Sequence, residues 1–366
     1  MKPRGPPLDL RLLTFADGER MLAINRACPI VADFTFFFDR GPDFFLWPNA
    51  VFETYAYVGG FREGELVAYA LFALAKGQLP SGDLFSWSGD ARVLPAFRGA
   101  GFLEAAVRAV VDETPDSGIG LFLVKQGNLP AIRAIAGLSV PGVEISRLCE
   151  FRAVNLLLVR AVAGPRRYQV RRAAPEDAGR IAELLQRAWR GRPFAPPVDA
   201  EELLRDAERL PGFGLDRYYL AFDGDELVGA LGAWDSDPVH RITVLRYSWR
   251  AQLLRAAYAC ARLVFRSAAP LPAPGGSFRT LTVTRLGVPG GDPAVLHDLL
   301  AAVHRDHLGR GYHMIHVGFA GDDPLEDGTR GFLRQTFRSD LLVSTSAEKA
   351  EALRKGPLPY LDLRLI

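Results

Sequence analysis

The chain has 366 residues, 49% of them hydrophobic and 23% charged, with 44 basic side chains against 42 acidic ones. That length exceeds one ordinary core and predicts two domains, while the apolar content excludes wholesale disorder. The near balance of charge leaves no global field to hold a polyanion, so nucleic acid is not an expected partner.

Cys28, Cys149 and Cys260 lie far apart with no CxxC or Cys/His metal spacing, which predicts reduced thiols and no metal centre. The residues from Met1 to Arg4 lead into no apolar signal segment, because Leu8 to Leu13 is short and carries Asp9 and Arg11; a cytoplasmic location is the expectation. Ala251 to Phe265 is interrupted by Arg255 and Arg262 and falls short of the ~20 residues that span a bilayer, so no membrane partner is expected.

In chain order, Leu8 to Leu13 alternates like a strand, and Thr14 then opens a helix over residues 15 to 28 with Met21, Ala23 and Ile24 on its apolar face. Phe34 to Tyr55 is unusually aromatic and reads as packed core or as the wall of an apolar pocket. Tyr55 to Gly60 and Leu66 to Ala75 form a hairpin around Arg62 to Glu65. A strand from Asp83 to Val93, a helix from Phe102 to about Glu113, a strand from Gly120 to Val124, a helix from Leu129 to Ala136 and strands from Val143 to Val159 follow. The junction is expected near Gly164.

The same opening then recurs. Tyr168 begins a strand, Ala174-Pro175 introduces a helix bearing Ile181, Leu184 and Leu185, and Tyr218 to Phe222 returns as a hairpin through Asp223-Gly224, a strong turn signal. Two strand-then-helix starts some 160 residues apart are the mark of a repeated domain. The second copy differs by an insertion over about 238–277. Thr280 to Leu286 resumes the sheet, Pro293 to Leu308 is helical, and Met314 to Phe319 and the tail Tyr360 to Ile366 read as strands. Each half is thus α+β, a mixed and mostly antiparallel sheet flanked by helices, with one parallel strand–helix–strand crossover.

The segment that carries chemistry is Val93-Leu94-Pro95-Ala96-Phe97-Arg98-Gly99-Ala100-Gly101-Phe102-Leu103, between a strand and a helix. Amides at such a turn converge on an anion with the helix dipole behind them, and glycine allows the close approach. The segment resembles the acyl-coenzyme A signature of the GNAT superfamily, in which Val-x-Pro is followed by (R/Q)-x-x-G-x-(G/A). Arg98 and Gly101 match its defined positions, and Leu103 stands where the last Gly or Ala belongs.

The resemblance implies two tandem GNAT-like domains, 1–164 and 165–366, with the acyl-CoA site in the first. It implies that amides from Arg98 to Leu103 (Arg98, Gly99, Ala100, Gly101, Phe102 and Leu103) hold the pyrophosphate, and that backbone at Val93 and Leu94 meets the pantetheine arm. Asn128 resembles the family's Asn beside the cofactor thiol, whereas Ile135 stands where many relatives carry the tyrosine that protonates the leaving thiolate. In the second half, Gly290-Gly291-Asp292-Pro293 lacks the signature, and Asp292 would repel a phosphate.

The implied activity is transfer of an acyl group, most simply acetyl, from acetyl-CoA or another acyl-CoA to a small-molecule or peptide amine. The alternative is a non-catalytic acyl-CoA-binding or regulatory protein. Asp90 is the candidate base, with Asp83 and Glu53 as further carboxylates, since the attacking amine must be neutral. Attack is expected to be direct, because Cys28 and Cys149 belong to segments expected to pack away from the turn. His297, His304, His307, His313 and His316 read as solvated or core histidines. The sequence does not set the oligomeric state.

Overall fold

The computed structural model describes residues 8–32, 34–79, 84–113, 118–138, 143–164 and 166–366. The first half runs β1 (Asp9–Leu12), α1 (Gly18–Ala27), β2 (Ile30–Val31), β3 (Phe34–Asp39), α2 (Leu46–Val51), β4 (Thr54–Arg62), β5 (Glu65–Lys76), β6 (Leu84–Val93), α3 (Phe102–Glu113), β7 (Gly120–Lys125), α4 (Leu129–Ala136) and β8 (Glu144–Leu157). The second runs β9 (Gln169–Arg172), α5 (Ala178–Trp189), α6 (Ala200–Arg209), β10 (Tyr218–Asp223), β11 (Glu226–Asp235), β12 (Arg241–Tyr247), α7 (Trp249–Ala261), β13 (Ser277–Phe278), β14 (Thr280–Gly287), α8 (Pro293–His307), β15 (Met314–Ala320), β16 (Arg334–Thr345) and α9 (Ala347–Lys355).

The repeat read from the sequence has a physical counterpart at both helix starts. The Asp17 carboxylate accepts from the Thr14 amide at 3.0 Å ahead of α1, and the Asp177 carboxylate accepts from the Ala174 amide at 2.8 Å ahead of α5. Each satisfies a donor that the helix itself leaves unpaired.

Among the described residues twelve strands form one mixed sheet in the order β1-β4-β5-β6-β7-β16-β8-β15-β14-β11-β10-β9. Its parallel pairs are β6 with β7 and β14 with β15, one in each half. The halves exchange their last strands. β8 crosses over to pair with β15, from Phe151↔Ala320 to Leu157↔Met314, and β16 comes back to pair with β7, from Ser339↔Lys125 to Ser344↔Gly120. These two strands also pair with each other, from Arg334↔Leu156 to Thr345↔Glu144.

One face of the sheet carries α1, α2, α5 and α6 over a core common to both halves, in which Phe85 meets Phe194 at 5.1 Å. The other face carries α3 over Val58, Ala68 and Phe72 in the first half and α8 over Leu281, Val283 and Val317 in the second.

Several elements depart from the sequence reading. The tail Tyr360 to Ile366 is no strand: it is irregular and ends in a single 3₁₀ turn, Leu363–Leu365. β16 and α9 are additional elements. The 238–277 insertion contains β12, which pairs antiparallel with β3 and builds a small sheet, β13-β12-β3-β2, out of strands from both halves. The aromatic tract supplies β3 and the buried Phe44, Phe45 and Trp47 around α2.

We propose Gly164 as the point where the repeat turns over. A chain ending there keeps β8 without β15 or β16 and leaves β7 an unpaired edge, so it should aggregate or show no cooperative thermal transition. A soluble first half that melts cooperatively would contradict this.

Candidate functional site

In the first half β6 and β7 are paired only from Ser86↔Gly120 to Ser88↔Phe122, and beyond Ser88 the two strands part. The separation begins where β6 bulges against β5 between Tyr69 and Leu71, with Asp90 held at φ +46°. After β6 come a 3₁₀ turn, Pro95–Phe97, then Gly99 at φ +86°, Gly101 at φ +78° and the start of α3. Buried Phe102 fixes that start to the sheet: a Cβ on Gly60 would come within 2.7 Å of its ring.

The helix start has donors to spare. The Ala100 amide bonds Phe97 O and the Ala105 amide bonds Gly101 O, but no backbone acceptor among the described residues takes the amides of Gly99, Gly101, Phe102, Leu103 or Glu104. Five unpaired amides beside an open strand fork can receive an anion.

Backbone groups at Val93 and Leu94 already have partners within the chain. The Leu94 amide already donates to Val67 O at 3.0 Å, and the Val93 carbonyl accepts from the Cys28 thiol at 3.3 Å and from Arg98 Nε at 3.4 Å. These groups are spoken for within the chain because β5 and the end of α1 pack against the end of β6. Cys28 therefore lies under the turn instead of away from it. Burial pushes its thiol up, which keeps it protonated. Cys149 sits on β8, its thiol also raised by burial, to about 11. Asn128 is exposed and caps α4 by accepting from the Ala131 amide at 3.4 Å, and Ile135 is buried.

Asp90 is not a free carboxylate. Arg40 Nη1 donates to its Oδ2 at 2.5 Å, the Tyr57 hydroxyl donates to the same oxygen at 3.2 Å, and Arg92 Nη2 lies 3.6 Å from Oδ1. Arg40 in turn packs its guanidinium 4.1 Å from the centre of the Trp47 ring. Burial holds the Tyr57 and Tyr69 phenols well above their ordinary range, and the Tyr69 hydroxyl is buried without a partner. Glu53 lies elsewhere, 3.2 Å from Lys76 Nζ. Asp83 falls outside the described residues.

One group that the sequence reading passed over, His240, faces this cluster from the second half, with His316 behind it. His240, at the end of β12 nearest the fork, stacks on Phe38 at 4.5 Å and on Trp47 at 5.8 Å. Burial, and then Arg40, His316 and Arg92, hold its pKa well below the usual histidine range. His316 on β15 has its Nε2 buried without a partner among the described residues, and burial lowers its pKa to about 4. Only the pairing of β12 with β3 brings His240 here, which no local pattern announces. Of the other histidines, His304 Nε2 lies 3.3 Å from Leu157 O and His307 Nδ1 2.8 Å from Val303 O.

The equivalent fork in the second half is built alike but closed. Pairing of β14 with β15 stops at Thr282↔His316, and Arg285 occupies the bulge at φ +51°, as Asp90 does in the first half. The charges are reversed: fully buried Arg285 donates to Asp206 at 2.5 and 2.8 Å, and Arg364 Nη1 joins at 2.6 Å. The C-terminal tail lies across the parting strands. Asp362 accepts from the Arg285 amide at 3.0 Å and from Thr284 Oγ1 at 2.7 Å, and a Cβ on Gly318 would come within 2.9 Å of Leu363. At the start of α8, the Asp292 carboxylate accepts from the Ala294 amide at 2.8 Å and from the Tyr168 hydroxyl at 2.8 Å. The protein's own carboxylate thus occupies the helix start that an incoming phosphate would need.

A cavity of about 430 Å³ lies apart from the first fork, at the opposite ends of β5 and β6 from the turn, between Phe52, Lys76, Phe85, Pro196 and Arg209, and reaches Asp362 and Arg364 of the tail over the second fork. Its walls mix both signs of charge, and it is not part of this site.

No protein-family model matches the sequence, and no curated protein matches it. The architecture is matched by solved structures. The N-myristoyltransferase of Saccharomyces cerevisiae with bound myristoyl-CoA aligns at a TM-score of 0.58 and 10% identity, covering 93% of this chain and 84% of that one. A second structure of that enzyme, with bound myristoyl-CoA and inhibitors, aligns at 0.56 and 11% identity, covering 93% and 82%. A GCN5-related N-acetyltransferase from Sphaerobacter thermophilus aligns at 0.48 and 15% identity, covering 84% and 82%. The chain shares the fold of these N-myristoyltransferase structures, a mixed α+β architecture with one large sheet flanked by helices.

Because His316 is neutral when folded but has an ordinary pKa when unfolded, the unfolded chain binds the extra proton between about pH 6.5 and about pH 4. Stability is therefore full above that window and falls with acidification through it. The melting temperature should drop over this range in the native chain and drop less in His316→Gln. Parallel curves for the two would remove His316 from the acid response.

Proposed function

We propose that the chain is an acyl-CoA-dependent acyltransferase that moves an acyl group to an amine and binds the donor in its first half. The observation that carries this reading is the set of unpaired amides from Gly99 to Glu104 at the mouth of the β6–β7 fork, while the matching helix start of the second half is capped by Asp292. Arg98 to Leu103 hold the pyrophosphate, with Gly99 and Gly101 supplying the positive φ angles that let the backbone approach it. The pantetheine arm enters the fork, and Asn128 flanks it from α4. Fold neighbours crystallised with myristoyl-CoA support an acyl-CoA as the donor. Acetyl-CoA and longer acyl-CoAs are both candidates, and the acceptor is a small-molecule or peptide amine.

In this reading the amine attacks the thioester directly. Cys28 is a buried thiol whose hydrogen is committed to Val93 O, which argues against an acyl-cysteine route. Asp90, locked by Arg40 and Tyr57, acts as a positioning group that fixes Arg40 beside the fork. His240 is the candidate proton acceptor, since none of its ring nitrogens is committed to a partner among the described residues, while burial and Arg40 make it a weak base. A protonated imidazole there would face Arg40 and Arg92, so the proton must pass on to water.

Calorimetry with coenzyme A, acetyl-CoA and myristoyl-CoA tests donor binding. Gly101→Val, at a φ that a branched side chain does not tolerate, should weaken binding at least tenfold, whereas Gly291→Val should leave it within about twofold. Equal losses at both positions, or no binding by the native chain, would reject the assignment.

Thiol release in the presence of a panel of small amines and peptides with free N-termini tests turnover. His240→Gln should lower kcat by about 100-fold or more with donor affinity kept. Asp90→Asn should lower kcat with KM for the acyl-CoA little changed. Donor binding with no release against any amine would favour the non-catalytic reading that buried Ile135 keeps open.

A further inference from the structure

The insertion of the second half presents a helix turned inside out. α7 has no buried residue. The side it turns to the protein carries Ala251, Arg255, Tyr258 and Arg262, each half-buried. The Arg255 guanidinium lies 5.4 Å from the Tyr247 ring centre, and Arg262 Nε donates to Ala268 O at 2.8 Å. Between that side and the 270–274 loop is a hollow of about 550 Å³ in place of a packed core.

The outward side carries Trp249, Leu253, Ala257 and Cys260 at helical spacing, with Leu254 beside them and Leu263 and Val264 just beyond the helix. Trp249, Leu253, Leu254, Leu263 and Val264 are 63 to 78% exposed. A contiguous exposed apolar surface of this kind marks a contact face.

The charge around it has one sign. From Pro238 to Gly291 the sequence contains eight arginines and no Asp, Glu or Lys. Arg241, Arg279 and Arg285 are paired to carboxylates, but Arg246, Arg250, Arg255, Arg262 and Arg266 have no carboxylate partner among the described residues. Apolar side chains on an exposed helix, headed by a tryptophan and bordered by exposed arginines without carboxylate partners, Arg250 and Arg266, are what an interfacial helix requires: the apolar side enters the headgroup–acyl boundary and the cations meet anionic headgroups.

We propose that α7 and the Leu263–Val264 turn dock this protein on an anionic lipid surface. A second copy of the chain is a poor occupant, because it would bring two unpaired arginine rows together. Nucleic acid would satisfy the arginines but leave the leucines and Val264 in water. The mode is surface attachment: among the described residues no helix is long and apolar enough to cross a membrane.

The chain reports on this itself. Of its five tryptophans, Trp47, Trp87, Trp189 and Trp234 are buried and Trp249 alone is exposed. The full-length protein should co-sediment with phosphatidylglycerol vesicles and not with phosphatidylcholine vesicles, with a blue shift of emission that Trp249→Phe abolishes. Leu253→Glu and Leu254→Glu change exposed positions and should keep the melting temperature while reducing vesicle partition at least tenfold. Arg250→Gln and Arg266→Gln should each cost about fivefold, and salt should weaken binding. No partition onto phosphatidylglycerol would overturn the proposal. So would a dimer that Leu253→Glu dissociates, seen by light scattering without vesicle binding, or duplex DNA bound in preference to the vesicles.

Discussion

The first turn of every helix carries amides that the helix cannot pair, and this protein treats the two equivalent sets in opposite ways. At the start of α8 the chain supplies its own anion, Asp292, steadied by Tyr168. At the start of α3 it supplies none, and two glycines with positive φ keep side chains out of the way. An unpaired donor set in a water-filled mouth costs little, yet it becomes a strong site once a phosphate arrives. The two helix starts differ by that single carboxylate and by the tail that lies over the second fork.

Both forks depend on the same device, a parallel strand pair forced apart by a bulge. Asp90 and Arg285 hold the two bulges, each with a positive φ, and each is neutralised by an opposite charge, Arg40 in one case and Asp206 in the other. Reversing the sign preserves the ion pair while changing what the fork presents. Removing one partner of such a buried pair typically costs about 3–5 kcal/mol, so each pair fixes the shape of its fork as well as its charge. The exchanged strands β8 and β16 then tie the two forks to one sheet, while the pairing of β12 with β3 brings His240 of the second half to the cluster of the first.

Much of this was legible in the residues. The two hairpins, with Asp223-Gly224 at the second turn, the helix from Leu129 to Ala136 and the turn from Val93 to Gly101 all follow local rules of periodicity and turn chemistry, and the structure has them at those places. What was missed is non-local. β16, with Arg334, Thr336, Arg338 and Asp340 on one side, has no apolar alternation to announce it and is a strand because β7 and β8 pair with its backbone. The tail read as a strand because Tyr360, Leu361 and Leu363 are apolar, but they are buried by packing across the forked strands and not by pairing. Asp90 stood out as an acid near the turn, while its partner Arg40 lies fifty residues upstream, so the sequence concealed the ion pair. Cys28 was misplaced for the same reason: the crossing of α1 beneath β6 is a packing fact.

The most direct measurement of the central claim is amide hydrogen exchange of the full chain with and without coenzyme A. Protection is expected at Gly99, Gly101, Phe102, Leu103 and Glu104, whose amides lack acceptors, with no change from Val288 to Leu296 at the closed helix start. Protection centred on the second segment, or absent from the first while coenzyme A is bound, would contradict it.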